Sequence, residues 1–478
     1  MRRERSIIVR SPATGDVVWQ GEIATIDDVR YSVVAARFAW TSWRLTTLEE
    51  RIAVAERFAK IAEARMDELA TVISQETGKP NWESIAEAKL IATKVRLAIA
   101  AHRQRSVVPP VNMPQGTGSF RLEPVGVMLV LGPFNFPAHL PNGHIVPAII
   151  AGNVVVFKPS ELTPGSGDLL QSFWQQAGLP PGVLQILHGD REIGSALLDE
   201  RIDGVLFTGS HTAGVAIHRQ LAGRPEVMLA LEMGGNNPLI VDATDHLDAA
   251  AAIVVVSAFI TAGQRCTCAR RLILPNGPNV ETLLSKITTL AARLVVGKPS
   301  VAPEPFMGPV ISVAAGKRVL ATQAEMLRRG GVSLLRASAL ADNPAMLTPG
   351  VIDVTKQTDR EDIELFGPLL QVIRVDDFRA AIEEANATQF GLAAGLLSDD
   401  PRRFDEFRRN VRAGVLTWNQ ATVGASGQLP FGGLGHSGNH RPSGYAAAEY
   451  CSDAAASLET PTVEMPKMIY PGMTGHGA

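Results

Sequence analysis

Beyond Pro124 the chain passes through short segments rich in valine and isoleucine, VGVMLVLG, GNVVVFKP, GVLQILHG and GVLFTGS. Each is closed by glycine or proline and separated from the next by a helical length. Such runs read as strands buried on both faces. Strands that alternate with helices pair in parallel, because a crossover is needed to bring the chain back to the same end of the sheet. The alternation resumes from 235 through NPLIVDA, RRLILPN, LLQVIRV and GVLTWN, with an amphipathic helix expected over 281–295, which predicts a second α/β domain. Ahead of the first strand, apolar residues at helical spacing predict amphipathic helices over 47–72 and 82–102. The longest apolar runs, IVPAIIAGNVVVF and AAAAIVVVSAFITAG, fall short of the ~18 residues expected of a membrane span and read as buried core.

At 478 residues the chain is too long for one ordinary core. Its formal charge of −3, with acidic and basic residues interspersed, provides no field that draws a protein to nucleic acid or anionic lipid, so neither partner is expected. The opening MRRERSIIVRSPATGD lacks the apolar stretch of a secretory signal. Cys266, Cys268 and Cys451 are odd in number, and the first two are too close to bridge easily, so a reducing compartment, the cytoplasm, is expected. With only these cysteines and ten scattered histidines, no metal site is expected.

Two glycine-containing stretches bear on nucleotide binding. GLGHSG at 433–438 has the spacing of a dinucleotide fingerprint but lacks a strand of adequate length before it, and reads as a loop that reverses direction. FTGSHTAG at 207–214 places Ser210 between a strand end and a helix start. Free amides there face a pyrophosphate on one reading, and Ser210 simply caps its helix on the other.

The stretch ITAGQRCTCARRLIL sets two thiols among arginines. A free cysteine is more often a small buried hydrophobe than a nucleophile. Here Arg265, Arg270 and Arg271 as neighbours, and a turn at Gly263-Gln264, are conditions expected to favour the thiolate and expose it. Cys266 is the candidate nucleophile and Cys268 its structural companion.

GQRC, together with LALEMGG from 229, resembles the nucleophile and general-base motifs of the aldehyde dehydrogenase superfamily. GPFNFP, FKPSELTP, FTGS, ELFGP and PFGG follow the family's order. The resemblance implies an α/β fold with a Rossmann-type NAD domain (1–102 and 124–234), an α/β catalytic domain (235–445) and small oligomerisation β-extensions (103–123 and 446–478). It implies that Cys266 adds to an aldehyde carbon, that Asn135 and the Cys266 backbone N–H hold the resulting oxyanion, and that Glu232 activates water against the thioester. Standing alone, Asn135 reads as a turn residue and Glu232 as the end of a helix or strand.

For the cofactor, NAD, the resemblance assigns Lys158 and Glu161 to the adenosine ribose, Glu364 to the nicotinamide ribose and Phe366 to the ring, with Gly209, Ser210, Gly214 and Gly234 beside them. A carboxylate at 161 favours a free 2′-hydroxyl over a 2′-phosphate. Glu232 argues for release to water rather than to coenzyme A. The stretches around these motifs resemble members of that superfamily acting on a small anionic aldehyde, and the resemblance implies an N-succinylated glutamate semialdehyde consumed in arginine catabolism. Its two carboxylates call for cations and amides, nominated as Arg265, Asn419, His440 and Arg441. A homodimer or dimer of dimers is implied through a hairpin at about 103–123 and a strand in SLETPTVEM. Because SPATGDVVWQ begins at 11, the family's preceding strand is expected to be missing.

Overall fold

The computed structural model describes residues 6–106, 109–114, 116–340, 343–465 and 471–473. Its first sheet has five parallel strands in the order Leu184–Ile186, Val154–Lys158, Val127–Leu131, Gly204–Gly209, Met228–Met233. The chain builds outward from the central strand through two neighbours, then crosses back to lay Gly204–Gly209 on the other side. That reversal opens a crevice beyond the carboxyl ends of Val127–Leu131 and Gly204–Gly209, the place where doubly wound sheets bind ligands. Every residue of Val127–Leu131 and Val154–Lys158 is buried, as a sheet covered on both faces requires.

The second sheet has seven strands, ordered Val332–Leu335, Gly350–Asp353, Leu369–Val375, Ala269–Pro275, Asn237–Val241, Ala393–Leu397, Val415–Trp418. All pairs are parallel except the first, which is antiparallel. One hydrophobic core surrounds the first sheet and three smaller clusters surround the second.

Several expectations shift. The single helix over 47–72 is two, Leu48–Ala64 and Met66–Thr77. The break falls at Arg65, whose backbone leaves helical geometry while its guanidinium holds Glu68 and lies over Phe173. The helix over 82–102 runs Asn81–Ser106, absorbing residues 103–106 that were assigned to an extension, and that over 281–295 is Val280–Ala292. A strand, Ser6–Arg10, immediately precedes SPATGD and pairs with Val17–Glu22, while residues 1–10 contain no asparagine-glycine turn. Residues 446–451 are not an extension either: Ala447, Tyr450 and Cys451 pack into the first core. The outlying sheet is three-stranded, Ser452–Glu459 against Gly116–Pro124 against Val111–Met113, so the carboxy-terminal strand lies ahead of most of SLETPTVEM. The portions of these segments at 1–5, 107–108, 115, 466–470 and 474–478 lie outside the described residues.

Candidate active site

Two loops and one strand end bring chemistry to the crevice. Asn135 stands in the turn that follows Val127–Leu131, Glu232 is the penultimate residue of strand Met228–Met233, and Cys266 lies in the turn between the short 3-10 helix Ile260–Gly263 and strand Ala269–Pro275. All three line one cavity of about 450 Å³, with Ser210, Glu364 and Phe366 along its walls. Cys266 also opens into a second cavity of about 190 Å³. A sulfur shared by two cavities can meet a substrate from one side and a cofactor from the other.

The turn bearing Cys266 is strained and braced. Thr261, Ala262 and Gly263 take left-handed φ values of 57°, 51° and 70° in succession, which costs non-glycine residues of order 1 kcal/mol each. At Gly263 a Cβ would collide with the Gly367 carbonyl. Thr261 is held by donating its hydroxyl hydrogen to buried Glu83 and accepting from Arg265 Nε at 2.7 Å. Asn237 Nδ2 donates to the carbonyls of Cys266 at 2.7 Å and Cys268 at 2.9 Å, fixing both sides of the turn. Asn135 Nδ2 donates to the Gln264 carbonyl at 2.9 Å, tying its loop to the same turn.

The electrostatics differ from expectation. Burial, then Glu364, Glu232 and Cys268, push the Cys266 thiol up to about 12, with Arg270 acting the other way. The neighbouring arginines do not ionise it, because they are spent elsewhere. Arg270 and Arg271 lie on a strand and alternate in direction. Arg270 donates to the carbonyls of Gly263 at 2.6 Å and Arg265 at 2.9 Å, and Arg271 binds the carbonyls of Asn236, Glu384 and Ala385. Arg265 is ion-paired to Glu83 at 3.0 Å. Burial raises Glu232 well above the ordinary carboxylate range, opposed by a hydrogen bond from the Ser443 backbone, and its Oε2 has no hydrogen-bond partner among the described residues. Cys268 is fully buried, as a companion.

The cofactor residues divide. Ser210 accepts from Ala213 N at 3.3 Å, so it caps helix His211–Gln220 and faces the cavity as well. Gly209 also lines it, whereas Gly214 is a packing position where a Cβ would overlap Met233. Gly234 lines the cavity and makes room for Glu364, whose carboxylate would collide with any Cβ there and accepts from Gly235 N at 3.3 Å. Burial lifts Glu364 to about 7, opposed by Arg270. Phe366 meets Phe134 edge to face at 5.9 Å. Lys158 is buried, donating to the carbonyls of Pro159 at 2.9 Å and Gly189 at 2.7 Å, with exposed Glu161 3.7 Å away. Neither lines the cavity, although Ser160 between them does. GLGHSG is a loop as expected: Ser437 O accepts from Met233 N at 2.9 Å, so it buttresses the strand that carries Glu232.

Of the substrate nominees Arg265 alone lines either of these two cavities, and its charge is matched by Glu83. Asn419 is taken up by Ser398, accepting from its N–H at 2.9 Å and donating to its carbonyl at 3.0 Å. His440 and Arg441 are exposed and line neither cavity. Missed by sequence reasoning were Glu83, Glu87 and Lys94, spaced along one face of helix Asn81–Ser106. Their only signal was that a helix otherwise amphipathic carries acids at 83 and 87, one turn apart, on its buried side. Among the described residues no group of three or more metal-ligating side chains is gathered.

The model of the aldehyde dehydrogenase family matches residues 1–455. The chain is 50% identical over 464 residues to N-succinylglutamate 5-semialdehyde dehydrogenase of Pseudomonas fluorescens (strain Pf0-1), covering 97% of this chain and 95% of that one. To the protein of the same name from Paraburkholderia xenovorans (strain LB400) it is 48% identical over 465 residues, covering 97% and 96%. Among solved structures, 1-pyrroline-5-carboxylate dehydrogenase from Thermus with bound NAD superposes with a TM-score of 0.90 at 30% identity, covering 95% of this chain and 90% of that one. With the ordered motifs, the paired sheets and the cysteine, asparagine and glutamate in one cavity, these matches place the chain in the aldehyde dehydrogenase family.

Proposed function

We propose that the chain oxidises N-succinyl-L-glutamate 5-semialdehyde to N-succinyl-L-glutamate with NAD in the cytoplasm, as a step of arginine catabolism. The observation that carries the chemistry is buried Glu232, whose Oε2 has no hydrogen-bond partner among the described residues, in the same cavity as Cys266 and Asn135. The near end-to-end identity to relatives of that name supports the substrate.

Cys266 gives up its thiol proton to solvent as its sulfur forms a bond to the aldehyde carbon, and the carbonyl electron pair moves to oxygen. Asn135 Nδ2 and the Cys266 N–H stabilise that oxyanion, each such donor contributing on the order of 10²–10³ in rate. The larger cavity suits NAD by its donor set: a helix N-terminus at Ser210 for phosphate, a carboxylate at Glu364 for ribose hydroxyls and an aromatic face at Phe366. When bound, NAD supplies the acceptor for the hydride of the former aldehyde carbon. Glu232 then takes a proton from water as it attacks the thioester, the carbon–sulfur bond breaks and the acid leaves. Lys158 and Glu161 serve the adenosine end and favour NAD over NADP.

The first sheet with its core is the cofactor domain, and the second sheet with its three clusters is the catalytic domain. Oligomerisation uses the outlying three-stranded sheet, whose register sets Val111, Met113, Phe120, Leu122 and Leu458 on a single face and Ser119, Arg121, Glu123 and Ser457 on the other. No helix among the described residues is long and apolar enough to cross a membrane.

Following NADH absorbance with the succinylated semialdehyde, with and without coenzyme A, tests this reading. Turnover without coenzyme A is expected. A requirement for it, or no NADH from this aldehyde, would reject the hydrolytic route or the substrate respectively.

A further inference from the structure

The smaller cavity is walled on one side by Leu90, Thr93, Lys94 and Leu97, one face of helix Asn81–Ser106, and on the other by residues 425–427. Cys266 opens into it, so it is the space for the part of an aldehyde that lies away from the cofactor. Two cations, Lys94 and Arg265, line it, and no aspartate or glutamate does.

The two cations are not equivalent. Arg265 is committed to Glu83 and Thr261 and lies over the Phe136 ring at 5.0 Å. Lys94 has no hydrogen-bond or ion-pair partner among the described residues, and no carboxylate acts on it. Glycines border its ammonium on two sides: a Cβ at Gly143 would lie 3.5 Å from Nζ and one at Gly427 3.8 Å, so no side chain fills the space there. The side chain is half-buried, and the partial desolvation of its ammonium without a counter-charge is a cost that lowers its proton affinity. A bound anion removes that cost.

We propose that Lys94 selects anionic aldehydes, its ammonium binding a substrate carboxylate in the smaller cavity while Cys266 takes the carbonyl carbon. This deepens the proposed function and rests on it for the identity of the substrate, though not for its charge. It moves the specificity role from Arg441 and Arg265 to a residue on a distant helix. Because the carboxylate contact is the same before and during the reaction, losing it is expected to raise KM more than it lowers kcat.

The test is steady-state kinetics on the full chain with N-succinylglutamate 5-semialdehyde, succinic semialdehyde and uncharged hexanal, for the parent, Lys94→Met, Lys94→Arg and Lys89→Met. With Lys94→Met, the preference for the anionic aldehydes over hexanal is expected to fall about ten- to a hundredfold, mostly through KM, as loss of a charged hydrogen bond predicts. Lys94→Arg recovers most of that preference. Lys89→Met, exposed on the same helix, leaves it unchanged. Equal losses on charged and uncharged aldehydes, or an unaltered preference, overturn the proposal, and should Lys94→Met not fold, Lys94→Gln makes the same comparison. If the parent prefers succinic to succinylated semialdehyde, the substrate reading fails while Lys94 is still judged on the former. A parent that prefers hexanal overturns both.

Discussion

Burial, then Glu364 and Glu232, push the Cys266 thiol up to about 12, which favours the protonated form. Its reactivity therefore depends on losing that proton as it attacks, a step that does not need Glu232. Cys266→Ala is expected to abolish NADH formation, whereas Cys268→Ala, which empties a buried packing position, retains substantial activity at some cost in stability; the reverse result would assign the wrong sulfur. Glu232 must be ionised to act as a base, and burial raises it, so activity is lost as pH falls through a value above the ordinary carboxylate range. Glu232→Gln is expected to slow turnover about 10²–10⁴-fold while leaving a burst of NADH near one per subunit, read by stopped flow. Absence of the burst would place Glu232 before the thioester. Cys266 and Glu232 were legible as residues of one cavity because each sits inside a contiguous motif. The arginines misled, because neighbours along a strand point to opposite faces and a guanidinium is drawn to whatever carbonyls it can satisfy.

Helix Asn81–Ser106 organises the site although it carries none of the catalytic side chains. Glu87 accepts from the N–H groups of Ala138 and His139, both at 3.1 Å, at the start of helix His139–Ala151, where a negative charge is stabilised by the helix dipole. Its other oxygen pairs with buried Lys79 at 2.7 Å. One turn earlier, Glu83 braces the strained Thr261 turn. The loops bearing Asn135 and Cys266 are thus registered against one rigid element. Glu87→Ala strands the Lys79 ammonium and two amides, so a loss of about 3–5 kcal/mol is expected in denaturant unfolding, with kcat reduced as Asn135 drifts. An unfolding midpoint equal to the parent's would show that the clamp is dispensable. None of this showed in the motifs, since such contacts join segments far apart in sequence. The helix Ile26–Trp43, by contrast, was overlooked although its Thr25/Asp28 capping box and its buried Val29, Val33 and Ala36 lie open in the sequence.

At the scale of the whole molecule, the alternation of strand and helix lengths was sufficient for two parallel sheets, because a parallel connection allows little else. Strand order was not legible, nor was the return of Ala447–Tyr450 to the first core, because both depend on contacts between segments that share no local pattern. The same holds for the outlying sheet, whose strands are short in apolar content and recognisable only once register aligns them. Paired residues of antiparallel strands share a face, so Leu458 opposite Gly118 and Ala456 opposite Phe120 build an apolar surface that this subunit leaves open, with Val111 at 62%, Phe120 at 42% and Leu458 at 74% exposure. A contiguous apolar face of this kind marks an association surface, and Glu459 and Arg121 on the opposite face keep that side in water. Phe120→Asp puts a charge at its middle, where desolvation without a partner opposes association. The parent is expected to run as a dimer or larger species by light scattering, and Phe120→Asp to shift it toward monomer while Arg121→Asp on the polar face does not. If both substitutions shift it equally, or neither does, subunits meet elsewhere.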